Sequence, residues 1–388
     1  MKMENRHPNL ERPIRIAGAG PSGLASAIAL ARAGISVEVH EAKSAVGSRF
    51  IGDLQVIENA SKAETVPQLL DRLGIERNFY FRPATWADFH DHRGRRRRIE
   101  SSTPYGYFIR RGSSGDTLDR GLLAQAIALG VDVRFGQRLA IEEADIVATG
   151  PASPDGLAKE ITFISDGEET IDVYFDHDRS PGGYSYLFIL DGVATFGCAI
   201  VADFRNIDRY FDQSLEAARR LRAFDPDRGR RTGYSYMNFH LKQGARLGES
   251  LFVGEAGGFQ DYLFGLGIRY ALTSGNLAAR SIIEQRDYDA LWKEELERQQ
   301  ETSVVNRFLY ESGGNVGLSL FVRRAAMARD FRTYLSSWHQ LPWWKALLYP
   351  LIRRFWRHDG RCQHKPGAHW CRSRETEMRV PPLGPVAQ

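Results

Sequence analysis

A chain of 388 residues is too long for one ordinary core and suits two domains, consecutive or interleaved, with material for a buried site. Its 43% hydrophobic and 26% charged residues are typical of a water-soluble globular protein, and no window holds the roughly 18 uninterrupted apolar residues that a membrane-spanning helix requires. The net charge of +4 is modest, three cysteines are too few for a disulfide framework, and the N-terminal "MKMENRHPNLERP" has no apolar signal core, so the expected compartment is the cytoplasm.

Residues 14–17, "IRIA", read as a short buried strand; "GAGPSG" then turns into "LASAIALARAG", whose alanines and leucines favour a helix ending at Gly34. Gly18, Gly20 and Gly23 stand at G-x-G-x-x-G spacing, with Pro21 and Ser22 between the last two. The first glycine permits the turn, the second lets backbone approach a pyrophosphate, and the third lets helix and strand pack closely; the positive end of the helix then faces the phosphates. A second strand, "SVEVHE", ends at Glu41, about 20 residues on, where a carboxylate accepts both hydroxyls of an adenosine ribose and repels a 2′-phosphate. That favours FAD or NAD over NADP.

The basic run 93–98 within "HRGRRRRIE" could meet anionic lipid, a phosphorylated substrate or nucleic acid. No aromatic residues interleave it, so the expectation is a solvated hairpin tip and no nucleic-acid partner. Further on, "EEADIVATG" (142–150) reads as a strand that returns beside the cofactor and ends at Gly150. Between Ile161 and Asp203, alternating apolar and polar residues broken by turn signals predict an antiparallel sheet that roofs the site. Alternation puts Tyr184, Tyr186 and Phe188 on one face, where they line an apolar substrate pocket or simply pack a core. Cys198 reads as a small core residue.

The stretch "VGEAGGFQDYLFGLGI" (253–268) repeats the pattern of glycines around an acid: Gly254 and Glu255 close a buried strand, and a loop runs through Gly265 and Gly267 to a helix beginning at Ile268. An extended dinucleotide such as FAD has a second half that one N-terminal fold cannot hold. Glu255 would meet the ribitol or approach the pyrophosphate, and the helix N-terminus would face the N1–C2=O edge of a flavin. The competing reading is a buried strand, turn and helix with no ligand.

Residues 341–357 of "LPWWKALLYPLIRRFWRHDG" mix tryptophan, leucine and basic residues in a way that suits either an amphipathic segment in a bilayer interface or docking on the protein itself, with Pro350 interrupting the helix. Cys362, His364, His369 and Cys371 could offer four ligands to zinc, but their spacing is unlike the common zinc modules and no metal is assigned. The polar, proline-rich run after Cys371 is expected to be disordered.

Taken together, these motifs resemble the FAD-dependent oxidoreductases of the geranylgeranyl reductase family, within the wider p-hydroxybenzoate hydroxylase-like fold, over roughly residues 12–300. "GGYSYLFILDGVATFGCA" (182–199) is similar to that family's Y-x-W-x-F-P substrate motif with its later G-x-G: Tyr184, Phe188 and Gly197 match, whereas Tyr186, Ile189 and Ala199 replace tryptophan, proline and the second glycine. Glu255 replaces the usual aspartate, and the cysteine that the family carries near the flavin is missing from "AKSAVGSRFIGD", which holds Arg49. "IRRGSSGDTLDRGLLAQA" looks like the family's R-x-x-x-D-x-x-L stretch, which implies that Arg111 reaches the flavin region. The hydroxylases of this fold carry Asp-Gly where Thr149 and Gly150 stand, and the W-x-W-x-I-P motif of tryptophan halogenases is absent.

The resemblance implies an α/β protein with a Rossmann-like FAD-binding domain (12–160 and 245–290) interleaved with an antiparallel-sheet substrate domain (75–110 and 161–244), followed by a helical C-terminal region (291–358) and a Cys/His-containing tail (359–388). The implied function is a reductase passing hydride from reduced flavin to a C=C bond of a small apolar, isoprenoid or lipid-like substrate. An FAD monooxygenase and a noncatalytic membrane-associated flavoprotein are the alternatives. No second G-x-G-x-x-G follows a strand, so NAD(P)H would dock transiently or reduced ferredoxin would serve as donor. Tyr184, Tyr186, Tyr262 and Asp261 are the candidate proton partners.

Overall fold

Ile14, Ile16 and Ala17 are buried on both faces of β1 (Ile14–Ala17), the pattern of a central parallel strand. In the computed structural model, which describes residues 12–151, 155–239 and 244–354, β1 lies inside a six-stranded sheet. On one side are β2 (Val37–Glu41) and β8 (Asp132–Phe135); on the other are β9 (Ile146–Val147), β16 (Ser250–Phe252) and the edge strand β15 (Arg246–Leu247). Every pairing is parallel except β15 with β16. Ile146 of the two-residue β9 stands opposite both Ile16 and Leu251, which welds the early and late segments together. The crossover helix α1 (Pro21–Arg32) packs on α3 (Leu118–Ala128) and, most closely, on α5 (Ile268–Glu284). A Cβ on Gly275 would fall 2.2 Å from the Ser22 carbonyl oxygen, and the Ser26 hydroxyl donates to the Gly275 carbonyl at 2.8 Å.

The second sheet has seven strands in the order β14 (Arg231–Met237), β10 (Gly156–Ile164), β13 (Val193–Ile200), β12 (Tyr184–Leu190), β11 (Thr170–Phe175), β5 (Trp86–Asp91) and β6 (Arg96–Glu100). It is antiparallel as expected except between β5 and β11, which are parallel. Those two strands belong to separate stretches of chain and share no hairpin, so nothing forces them to run in opposite directions. One face, with Leu157, Ile161, Leu187 and Phe196, packs on α4 (Ile207–Leu221) through Phe211. The other face, with Glu160, Tyr186 and Phe188, looks into the molecule.

Between the two large sheets lies a three-stranded one, β3 (Ile51–Glu58), β7 (Gly106–Gly112) and β4 (Arg82–Ala84), with α2 (Val66–Leu73) following β3. It is tied to the seven-stranded sheet by the Leu54 amide, which donates to Thr195 Oγ1 at 2.9 Å. After α6 (Tyr288–Trp292), the long α7 (Arg298–Met327), kinked at Gly314, covers β5 and β6; α8 (Phe331–Trp338) and α9 (Trp343–Arg353) pack on α7. Pro350 sits inside α9 without ending it, contrary to the expectation of an interruption there. Its missing N–H costs one hydrogen bond on a short surface helix held by other contacts, among them Lys345 Nζ, buried and donating to Asn306 Oδ1 at 2.7 Å.

The basic run forms the β5–β6 hairpin. Arg95 pairs with Asp91 (2.6 Å), and Arg96 and Arg98 pair with Asp88 (2.9 and 2.7 Å), while Arg222 bridges Asp88 and Asp172. These arginines neutralise carboxylates that are otherwise buried in the sheet, which accounts for most of the charge concentrated there. The four Cys/His candidates at 362–371 and the tail lie outside the described residues; among the described residues no group of three or more His, Cys, Asp or Glu could hold a metal, and no helix is long and apolar enough to cross a membrane.

Candidate functional site

The three N-terminal glycines have three different surroundings. Gly18 has φ +107°, which side chains rarely adopt, and a Cβ there would fall 2.5 Å from the Ala148 carbonyl oxygen. At Gly23 a Cβ would meet the Gly18 carbonyl oxygen at 2.1 Å, so this glycine sets the approach of α1 to the strand end. Gly20 is ordinary extended backbone (φ −77°, ψ 178°) with no protein atom within 4 Å of its Cβ position. Its missing side chain leaves room for something other than protein. It is also the residue before the first turn of α1, whose leading N–H groups have no side-chain cap. At the end of β2, Glu41 Oε2 accepts from the Ala19 amide and Oε1 from the Lys43 amide, both at 2.9 Å. The carboxylate is thus fixed beside the loop with lone pairs to spare.

Gly18, Gly20, Pro21, Ser22 and Glu41 line one end of a cavity of about 600 Å³ that passes between the sheets. Gly150, Gly254, Gly265, Gly267 and Ile268 line the same cavity, so residues more than 200 positions apart in the chain converge there. A Cβ on Gly254 would sit 2.7 Å from Ser22 Oγ, so the late loop closes directly on the early one. Gly267 and Ile268 present the N-terminus of the 17-residue α5 to the cavity.

Arg49, Arg111 and Glu255 line the middle of the cavity. Arg111 is held by a bidentate pair with Asp119 (2.8 and 2.9 Å), with its guanidinium 4.0 Å over the Phe50 ring. Glu255 Oε2 is buried with no hydrogen-bond partner, and burial pushes this carboxyl up to about 7 against the opposing pull of Arg49 and Arg111. A partnerless oxygen in a cavity wall is a vacant acceptor for a ligand hydroxyl.

Beyond this point the wall becomes aromatic. Phe188 stacks on Tyr186 (centroids 4.9 Å apart) and meets Phe108 edge-on at 4.9 Å; Phe89, Phe175 and Phe331 extend the surface from three other elements. Tyr184, also in the wall, donates to the Phe264 carbonyl at 2.8 Å. Two of the four proton candidates lie elsewhere. Tyr262 is fully buried outside the cavity wall, its hydroxyl donating to the Gly258 carbonyl at 2.8 Å. Asp261 is engaged in holding its own turn, accepting from the Leu263 and Phe264 amides and the Ser303 hydroxyl.

Glu160 belongs to no motif legible in the sequence. It lies in the cavity wall on β10, 4% exposed, with the Tyr186 hydroxyl donating to Oε1 and the Ser235 hydroxyl to Oε2 at 3.3 Å. Burial, reinforced by the nearby Asp53 carboxylate, pushes it up to about 8. The available signal was the glutamate itself in "GLAKEITFI", a buried carboxyl in the middle of a mostly apolar strand.

The open side of Gly20, the anchored Glu41, the unmatched Glu255 oxygen and the size of the cavity all fit FAD, and the fold and this cradle define an FAD-binding protein. Residues 11–161 match the model of the FAD binding domain family. Across most of its length the chain shares its fold with a geranylgeranyl bacteriochlorophyll reductase-like protein from Thermoplasma acidophilum (TM-score 0.67, 18% identity, covering 88% of this chain and 98% of that one). Similar too are a flavin-dependent brominase (TM-score 0.60, 15% identity, 88% and 97% covered) and Klebsiella pneumoniae HpxO, solved with FAD and uric acid (TM-score 0.59, 15% identity, 85% and 97% covered). No curated protein sequence matches the chain significantly.

Proposed function

We propose that the protein is an FAD-dependent reductase that saturates a carbon–carbon double bond of an apolar, isoprenoid or lipid-like substrate. The observation that carries this reading is the continuity of the dinucleotide cradle with a chamber walled by Phe89, Phe108, Phe175, Phe188, Phe264 and Phe331. Such a wall recognises hydrocarbon by removing it from water, roughly 0.8 kcal/mol per methylene. When bound, FAD supplies the hydride.

The chain's own residues would position and protect. The Gly18–Gly23 loop and the first turn of α1 would hold the pyrophosphate, Glu41 the ribose, and Glu255 with the Gly265–Ile268 turn the ribitol and ring end. The N-terminus of α5 offers its positive end to negative charge in the cavity. Arg49 and Arg111 add fixed positive charge, and the aromatic wall excludes water. Electrons would come from a transiently docked NAD(P)H or from reduced ferredoxin.

The fold shared with a brominase and with HpxO supports a second reading, a monooxygenase. The deciding experiment begins with the visible spectrum of the purified protein and anaerobic titration with NADPH, NADH and dithionite. The reduced protein is then mixed, without oxygen, with geraniol, farnesol or geranylgeraniol. Flavin reoxidation with recovery of the saturated alcohol supports the reductase. Reoxidation only on admitting oxygen, with a hydroxylated product, replaces it with the monooxygenase.

A membrane-surface location accompanies this reading. Trp343, Leu347 and Leu351 are 76%, 66% and 54% exposed and lie four residues apart, so they form one apolar stripe along α9, with Arg353 in its last turn. An anionic bilayer surface suits that combination and would give a lipid-like substrate a route to the chamber.

A further inference from the structure

We propose that Tyr186 and Glu160 form a proton relay across the seven-stranded sheet: Tyr186 gives its hydroxyl proton to the occupant of the aromatic chamber, and Glu160 restores it. The relay rests on the reductase reading for its substrate and on the sheet geometry for its residues.

The two residues are not on neighbouring strands. Tyr186 on β12 pairs with Gly197 on β13, and Gly197 pairs with Glu160 on β10, so β13 lies between them. The tyrosine reaches the carboxyl only because its ring lies flat across Gly197. A Cβ there would fall 2.3 Å from the ring Cζ and 2.5 Å from the hydroxyl oxygen. Phe188, stacked on the ring at 4.9 Å, holds it in that pose. Both ends of the pair line the cavity that contains the dinucleotide cradle. A core packing role would need neither a carboxyl nor a glycine at these two positions.

Burial and the Asp53 carboxylate favour the acid form of Glu160, against the hydrogen bonds from Tyr186 and Ser235 and the charge of Arg111. Asp53 on β3 is fully buried, accepting from the Ile51 amide (3.0 Å) and Gln55 Nε2 (2.7 Å), and its charge opposes a second one nearby. Arg111 on β7 pulls the other way, but its guanidinium is already engaged by Asp119. Tyr186 and Tyr184 on β12 and Ser235 on β14 complete the titratable and polar surroundings. For the relay the hydrogen bond that Tyr186 donates to Glu160 Oε1 turns round: the protonated carboxyl donates to the tyrosine oxygen, and the tyrosine hydrogen is then free to point into the chamber.

In the reaction, the Tyr186 O–H bond breaks as a C–H bond forms on the alkene carbon next to the one receiving hydride. The Glu160 proton moves to the tyrosine oxygen, and the carboxylate then takes one proton from water by way of the Ser235 hydroxyl. The reduced flavin, when bound, would supply both electrons as hydride, so the relay itself carries protons alone.

The test uses Tyr186→Phe and Glu160→Gln in the FAD-loaded protein, with geranylgeraniol as probe and flavin content as the check on folding. Each variant is expected to slow reduction of the probe by about 10²–10³-fold, and Glu160→Gln to remove the alkaline limb of the pH–rate profile. Independently of turnover, infrared titration of the resting protein is expected to show a protonated carboxyl band that vanishes above about pH 8. That band is expected to shift in Tyr186→Phe and to be missing from Glu160→Gln. Wild-type rates in both variants, or a Glu160 already ionised at pH 7, would overturn the relay. A wild-type protein inert toward every isoprenoid alcohol but with the expected band and shift would instead remove the reductase reading and leave the relay standing.

Discussion

Gly20→Val separates binding from folding more cleanly than any other change at the cradle. Gly20 has extended backbone angles that a β-branched residue adopts readily, and no protein atom lies within 4 Å of its Cβ position. The apoprotein should therefore hold its stability within about 0.5 kcal/mol, or gain slightly because valine restricts the unfolded chain. The two added methyl groups can go only into the cavity, where the pyrophosphate is expected. Losing two charge-assisted hydrogen bonds from the loop, each worth about 1.5–3 kcal/mol, weakens FAD binding by roughly 3–6 kcal/mol, or about 10²–10⁴-fold in Kd. Thermal unfolding without FAD measures the stability, and fluorescence titration of the apoprotein with FAD measures the affinity. Gly23→Ala is the contrasting control, because its Cβ would lie 2.1 Å from the Gly18 carbonyl oxygen and should lower stability as well as affinity. Full flavin retention by a folded Gly20→Val protein would refute the assignment of this loop to the phosphates.

Gly275→Ala should cost about 1–3 kcal/mol in urea unfolding, because its Cβ would stand 2.2 Å from the Ser22 carbonyl and part α5 from α1; an unchanged midpoint would contradict this packing. Glu255→Ala should weaken FAD binding about 5–10-fold, the worth of roughly one hydrogen bond, and a variant with wild-type Kd and reduction potential would remove Glu255 from the site. Glu255 and Glu160 both titrate higher in the folded protein than in the unfolded chain, so the folded state keeps protons that the unfolded state has released. Their contribution is therefore complete below about pH 4.5 and is lost as pH rises to about 7 and 8, at up to about 1.4 kcal/mol per pH unit per group. Glu160→Gln should flatten that fall, measured as the difference between apoprotein unfolding curves across the window. Trp343→Asp and Leu347→Asp should each reduce binding to phosphatidylglycerol vesicles about tenfold, and equal sedimentation of wild type and variants would dismiss the α9 surface.

What could be read from the chain was what the chain encodes locally. Strand, glycine turn and helix follow one another within 20 residues at the N-terminus, and again from Ser250 to Ile268, so spacing alone states their geometry. Pairings across distant segments were hidden. Nothing local announces that β5 joins β11 in parallel, or that α8 sends Phe331 and Leu335 into the chamber. Glu160 meets Tyr186 through the register of three strands and a glycine between them, a relation with no sequence spacing to reveal it. Tyr262 and Asp261 misled for the converse reason: they stand in the glycine-rich stretch, but the turn folds their polar atoms back onto its own backbone and α7.

The two-residue strand β9 has a consequence for the order of events on the ribosome. Its outer edge is completed only by β16, and the far wall of the cradle only by the turn leading into α5. When the first 160 residues have emerged, the dinucleotide loop exists but one sheet edge is open and part of the cavity wall has yet to be made. At ordinary elongation rates the remaining stretch to the end of α5 takes on the order of ten seconds. During that interval a nascent chain can be protected by a chaperone but not by its own cofactor, so truncations anywhere before Glu284 should give proteins that neither bind flavin nor stay soluble.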